Sequence, residues 1–585
     1  MDVSNSLFSQ DCFVNTLVRL RESSKTAVVS AEFSDPYTMY MHVDRPVQQK
    51  FISILESTYN SNHAELILLC GSVGDGKSHM LSYCKEKYPA MIGEFYVHND
   101  STASLYVDKS AAFTLMEIME DFADDKIESS TAKVILAINL GTLSNFLTMD
   151  TENRFTKLKK YIGEAGILDE NNYVSEENEY FHSVNFADYH LYELTSNGIH
   201  SSYVKGLLEK IVLKDEKNDY YKNYCACCRE CEAANKCPVK ANYELLSDET
   251  IQNGIISVLV ESIVKNKQIV STRSLLNVIY EILVNEGTFH RGSLEPRKEP
   301  EKMTSVDYYK TLLPNIIFEK RESAEIFDAI KNVDPLHIGN EQIDDFIVYY
   351  ENSNDTVSIF LEDLGEYKSL LRRVEEEDFS DPSMHVVKEE ILKLYIRLCW
   401  LTKRKKELLP DDEDYIEYME AIYNWNKGNY NGLKKVYGIV EKGVLAWNGY
   451  AEKNEMQLLS GNKNSDYHLV QSIQIKKSVD NLPSCSEETL YSFRDELRLK
   501  FRYGNEFAEI DVDYALFSLL KKVLNGYVPS INDKRVNIKC VEFINKISKG
   551  GSKMEQLYIR DMSQKKAKEY VIEYDETFGY SFEVN

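Results

Sequence analysis

Residues 65–88 read ELILLC-GSVGDGKS-HMLSYCKEKY and are followed by Pro89. The apolar run ending at Cys70 is too short for a helix and reads as a strand of a parallel sheet buried on both faces. Lys77–Tyr88 has helical character and stops before the proline. Between them, Gly71-Ser72-Val73-Gly74-Asp75-Gly76-Lys77-Ser78 fits the spacing G-x4-G-K-[ST]. Glycines at these places let successive N–H groups turn inward on phosphate oxygens, and the helix adds its positive N-terminal end. In that arrangement Lys77 reaches the β- and γ-phosphates of a nucleoside triphosphate and Ser78 holds Mg2+. The sequence therefore predicts a nucleotide site over Gly71–Ser78, with ATP the expected ligand. His79, next on the helix, is counted with the nucleotide-binding positions and reads as packed or solvated instead of catalytic.

Working outward, a helix is expected from Asp44, with Pro46 in its first turn and Val47, Phe51, Ile54 and Leu55 on one face. Beyond the loop come a second strand (Glu94–His98), a helical stripe (Ala111 to Phe122), a third strand (Lys133–Ile138) and at least one more within Phe181–Leu194. Strands alternating with helices give an α/β fold whose parallel sheet is covered on both faces. A hydrophilic insertion at about 205–245 interrupts the pattern, and two helices follow in Ile251–Val284, joined near Gln268–Thr272. Arg291–Lys302, polar with two prolines, reads as a domain boundary. The expected organisation is an N-terminal segment (1–43), an α/β domain (44–290), a mainly helical domain (305–480, with a break at Leu409-Pro410) and a mixed α/β C-terminal domain (481–585).

Hydrolysis of a triphosphate also needs an acid to steady Mg2+ and orient water. The third strand ends in Asn139, which can hydrogen-bond a water or the γ-phosphate but cannot act as a base. Asp100 and Asp188, each after a strand, are the candidate acids, and each is equally read as an ordinary strand-end residue. Arg273 opens an apolar helix and is either a contact for the γ-phosphate or a capping arginine.

The chain has 68 basic and 94 acidic residues, a net charge of −26. That balance favours solubility and argues against a protein that coats nucleic acid along its length. The N-terminus lacks the features of a secretory signal, and no apolar run approaches the ~20 residues of a membrane span. Six of the eleven cysteines are scattered, so a reducing, cytoplasmic setting is expected. The other five stand in Cys225-Ala-Cys227-Cys228-x2-Cys231-x5-Cys237-Pro238. Thiolates so close need a soft cation, and Zn2+ is expected on Cys225, Cys228, Cys231 and Cys237, with Cys227 spare. An iron–sulfur cluster is the rival, although the last gap is five residues and not the three of a bacterial ferredoxin run.

Lys403-Arg-Lys-Lys406 reads as a solvated helix face. Lys534–Lys568 carries ten Lys or Arg against three acids, with Phe543 and Tyr558 interleaved, and is a candidate surface for DNA or RNA. It serves equally as a dock for an acidic partner. No nuclease constellation stands out in the sequence.

The loop GSVGDGKSHML, the strands VILAINLGTL and NFADYHLYEL, the cysteines ending in CPVKAN and the helix STRSLLN follow one another in an order that resembles the DptF family. That family is the F component of DNA phosphorothioation-dependent restriction, the Dpt or Dnd restriction module. The similarity spans roughly residues 40–290, beyond which length and general character agree. It implies an AAA-like P-loop ATPase of a bacterial antiviral defence system, acting with G and H components on DNA that lacks the phosphorothioate mark. Arg273 then resembles the arginine of an AAA+ helical lid that senses γ-phosphate, and Asn139 resembles a sensor asparagine. The alternative is a scaffold or signalling protein that binds ATP without turnover, which Asn139 in place of an acid permits.

Overall fold

Leu66, Leu68 and Cys70 point to one face of a strand, Glu65–Cys70 (β1), and Ile67 and Leu69 to the other; all five are fully buried. The first set packs with Val134, Leu136 and Ile138 under Leu115, Met119, Phe146 and Leu158. The second packs with Ile135 and Ala137 under Val47, Phe51, Leu55, Met80 and Leu81. Burial of one such side chain is worth about 1.5–3 kcal/mol, and helices on both faces are what let an unbroken apolar strand sit here. The sheet runs Tyr96–His98 (β2), Lys133–Ile138 (β3), β1, Phe181–Asn185 (β4), in that spatial order and all parallel. The α/β class and its parallel sheet are as the sequence predicts. Parallel strands bring the segments that follow β1, β3 and β4 to one end of the sheet.

The computed structural model describes residues 12–26, 36–72, 74–99, 111–168, 178–284, 303–320, 325–371, 373–374, 379–449, 454–458, 467–550, 556–561, 568–575 and 577–584. They divide into two compact units: one within Met1–Glu193, Ile199–Ile263 and Lys267–Pro410, the other within Leu194–Gly198, Val264–Asn266 and Asp411–Asn585. The principal division thus falls at Pro410, where the sequence suggests a break inside a helical domain. The expected boundary at Arg291–Lys302 lies outside the described residues.

Several elements differ from their sequence reading. β2 begins at Tyr96 and not Glu94, because a turn closed by Phe95 N–H on Ile92 O (3.1 Å) takes up the preceding residues. Within Phe181–Leu194 only Phe181–Asn185 joins the sheet, and a turn at Phe186–Asp188 follows. The N-terminal segment, whose sequence is mixed and offers no motif, holds a helix, Val14–Thr26, packed on the Thr272–Val284 and Asp219–Arg229 helices. Lys403–Lys406 is a turn and not a helix face, with Lys403 and Lys405 at positive φ and Lys405 paired to Asp363 at 2.9 Å.

In the helical part of the first unit, buried Arg397 donates to Asp334 (2.7 Å), Asn315 (2.9 Å) and Glu319 (2.8 Å). The second unit has a five-stranded antiparallel sheet and a three-stranded one. Its strands at Glu455–Gln457, Tyr467–Ser472 and Ile475–Ser478 fall in a stretch read as helical. They are short, and Tyr467–Ser472 finds its partner far along the chain, at Gln556–Asp561. Leu194 makes an isolated antiparallel bridge to Leu490, and Lys265 pairs with Asp412 (2.5 Å) between the rings of Tyr415 and Tyr514.

Candidate functional site

The Lys77–Lys87 helix begins directly after the glycine loop, with Gly76 as its N-cap at φ +95° and Gly74 at φ +91°. Left-handed backbone of this kind strains any residue with a Cβ. A Cβ on Gly74 would also lie 3.1 Å from that of Ser271, and one on Gly76 would lie 3.7 Å from Thr272 Oγ1. The loop is therefore pressed on the turn that opens the Thr272–Val284 helix. Lys77 folds back over the loop, its Nζ donating to Gly71 O at 2.8 Å and Ser72 O at 2.6 Å. Asp75 closes the other side by accepting the Ser72 N–H at 2.5 Å. Burial pushes the Asp75 carboxyl up against the opposing pull of Lys77, and burial pushes the Lys77 ammonium down against the pull of Asp75. The loop thus holds a carboxylate oxygen against its own Ser72 N–H in a partly dehydrated setting. Ser78 is the half-buried second residue of the helix; Val73 lies outside the described residues.

Two residues that sequence reasoning did not single out support this loop. Arg45 Nη1 donates to Asp75 O at 2.9 Å, and its guanidinium stands over the Tyr203 ring at 5.0 Å. Its signal in the sequence was a cation placed just before Pro46 at a helix start. His42 stacks on Tyr83 at 3.7 Å and contacts Asp44 (3.1 Å) and His79 (3.0 Å) through its two nitrogens. Burial lowers the pKa of His42, and that of His79 to about 4, so both rings are neutral near pH 7. A carboxylate only accepts, so the His42 proton is on Nε2, and its bare Nδ1 accepts from His79 Nε2–H. His79 is a packed residue.

β3 and β4 flank β1, which brings Asn139, Asn185 and Asp188 to the loop's end of the sheet. Asn139 N-caps the Leu140–Met149 helix, its Oδ1 accepting Thr142 N–H at 2.7 Å. The carbonyl oxygen is committed to the cap, and the amide NH2 is the part left to donate. Asp188 accepts from Asn185 Nδ2 at 3.1 Å and, like Lys77, acts electrostatically on the Cys70 thiol. Asp100 lies outside the described residues. Arg273 is the second residue of its helix, directly after the Ser271-Thr272 turn on the loop, and its buried Nε has no hydrogen-bond partner among the described residues.

No family model, curated protein or solved structure matches this chain. The site has to be read from its own geometry.

Cys225, Cys227 and Cys228 lie on the Asp219–Arg229 helix, Cys231 follows it, and Cys237 N-caps Pro238–Leu246. None is in a disulfide. Among the described residues, no three His, Cys, Asp or Glu side chains stand close enough together to hold a metal ion. In the second unit Phe543 is buried and packs on Phe501 at 5.7 Å, so it offers no ring to a nucleic acid. Lys539 faces Asp511 at 3.7 Å, and Arg560 is held by Glu455 and Glu569 at 2.8–2.9 Å. Residues 551–555 and 562–567 of that basic stretch lie outside the described residues. No helix among the described residues is long and apolar enough to cross a membrane.

Proposed function

We propose that this chain binds Mg-ATP through Gly71–Ser78 and hydrolyses it, as the ATPase component of a bacterial DNA restriction system that works with partner subunits in the cytoplasm. The observation that carries the nucleotide reading is the Asp75 carboxylate held on the Ser72 N–H with Lys77 folded alongside. A loop built to accept its own carboxylate there is built to accept a phosphate. On nucleotide entry Asp75 yields its place and Lys77 moves from two carbonyls to phosphate oxygens. Ser78 offers its hydroxyl to Mg2+. Asn139 and Arg273 approach the γ-phosphate as donors from β3 and from the helix that abuts the loop. Asp188, or Asp100, serves as the acid that orients water.

Restriction of DNA lacking phosphorothioate, the G and H partners, and DNA contact through Lys534–Lys568 rest on the resemblance to the DptF family and on charge. The cap bond of Asn139 favours a second reading, a nucleotide-gated scaffold without turnover. Phosphate release from ATP by the wild type and Lys77→Ala, each with and without DNA, separates them. Lys77-dependent release that rises with DNA supports the ATPase. ATP bound without release makes the chain a scaffold, and no binding at all removes both readings.

A further inference from the structure

The five-stranded antiparallel sheet of the second unit closes with three successive strands, Gln556–Asp561, Lys568–Asp575 and Gly579–Val584, the last of them at its edge among the described residues. Alternation along each strand divides the side chains between two faces. The register puts Leu557, Ile572 and Phe582 in one row across the three strands and Ile559, Tyr570 and Val584 in the next, all on one face. Tyr580 extends that face on the edge strand, and Leu469 and Tyr467 extend it on the other side, opposite Ile559 and Asp561. The reverse face carries Arg560, Glu569, Glu573, Ser581 and Glu583, with Arg560 held by Glu455 and Glu569 at 2.8–2.9 Å.

An antiparallel sheet with one apolar and one polar face ordinarily turns the apolar face to the core. Here the apolar face is in water: Tyr580 is 73% exposed, Phe582 and Val584 67% each, and Tyr467 53%. The other apolar side chains of the two rows are no more than half-buried. A whole aromatic side chain presents about 150–250 Å2, so Tyr467, Tyr580 and Phe582 leave about 400 Å2 exposed, and the face as a whole roughly 600 Å2. A monomer seldom leaves more than a few hundred Å2 of contiguous apolar surface. The area approaches the ~800 Å2 that each partner gives to a standard protein interface.

We propose that this face is a homodimer interface, in which two copies of the chain stack their apolar sheet faces across a twofold axis.

The face suits a second copy because it is complementary to itself. Its charged positions among the described residues, Asp561 and Lys568, stand opposite each other at one end, and the rows between are apolar. A twofold contact sets this patch against an identical one, so no uncompensated charge is buried. A chain of net charge −26 repels its own copy, and an uncharged face is where that repulsion costs least. Two such faces about 10 Å apart interdigitate their side chains as the sheets of a β-sandwich do. A nucleic acid would find no row of cations here to meet its phosphates.

The test is sedimentation of the full chain without nucleotide, which keeps the result independent of the Mg-ATP reading. The wild type should pass from monomer to dimer below about 100 μM. Phe582→Asp places a carboxylate in the face twice per dimer, and should raise the dissociation constant by about a hundredfold or more, about tenfold for each copy. Glu583→Lys, on the polar face of the same strand, should leave it unchanged. A photo-cross-linking phenylalanine analogue at position 582 should join two chains. A wild type that stays monomeric throughout that range would overturn the proposal, and so would a dimer that Phe582→Asp leaves intact. Cross-links from position 582 confined to one chain would overturn it too, by showing that the chain covers this face itself. The wild-type sedimentation and the cross-link decide the matter even if Phe582→Asp fails to fold.

Discussion

The Asp75 carboxylate accepts the backbone N–H of Ser72 three residues earlier, so the loop closes on an oxygen of its own. Any incoming phosphate competes with that oxygen for the same donor and for Lys77. Asp75→Asn keeps the side-chain shape and removes the charge. We expect it to tighten binding of a fluorescent ATP analogue by about three- to tenfold, about 1 kcal/mol, the scale of one net hydrogen bond. Unchanged or weaker binding would show that Asp75 supports the loop more than it competes.

Arg45 fixes the same loop from outside, through Asp75 O. Arg45→Met removes the donor, the charge and the guanidinium that stands over Tyr203 but keeps much of the aliphatic stem. Hydrogen exchange at 71–76 should quicken and nucleotide affinity should fall by roughly tenfold, about 1.4 kcal/mol. A variant with native exchange and native affinity would remove Arg45 from the site.

Acid should loosen the contact between His42 and the helix after the loop. The pKa of His79 is lowered from 6.5 to about 4, so the unfolded chain takes the proton first. The stability tied to neutral His79 is complete above pH 6.5, is lost as the pH falls, and reaches its floor near pH 4. The full loss is on the order of 3 kcal/mol. Melting temperatures of the wild type and His79→Asn, followed from pH 7 to 4, should converge toward the acid end. Parallel curves would contradict this linkage.

Arg397 sits among Asp334, Asn315 and Glu319, with Asp334 fully buried. Arg397→Met fills similar space but strands the carboxylate. A loss of about 3–5 kcal/mol is expected in urea unfolding, with much of it recovered in the Arg397→Met, Asp334→Leu double variant. Equal losses in both variants would mean that packing, not the buried charge, dominates.

The first sheet was legible because its strands are buried on both faces, so Leu66–Cys70 and Val134–Ile138 are unbroken apolar runs with no alternative use. The glycine loop was legible because backbone geometry dictates residue type at Gly74 and Gly76. What escaped was whatever depends on distant partners. Arg45 and His42 are ordinary residues until Asp75 and His79 are placed beside them. Phe543 looked like an aromatic interleaved with cations, but its ring is in the core against Phe501. The strands between Glu455 and Ser478 are short, and no local periodicity marks them.

The second unit has a birth order as well as a structure. Leu194–Gly198 and Val264–Asn266 leave the ribosome long before the Asp411–Asn585 body they belong to, and Leu194 meets Leu490 only after most of the chain has been made. Lys265 likewise waits for Asp412 and its two tyrosines. A chain stopped at Pro410 is therefore not a clean first half. It carries two orphaned pieces of the second unit with an unpaired backbone edge and an unanswered lysine, and a nascent chain passes through that same state on its way to completion.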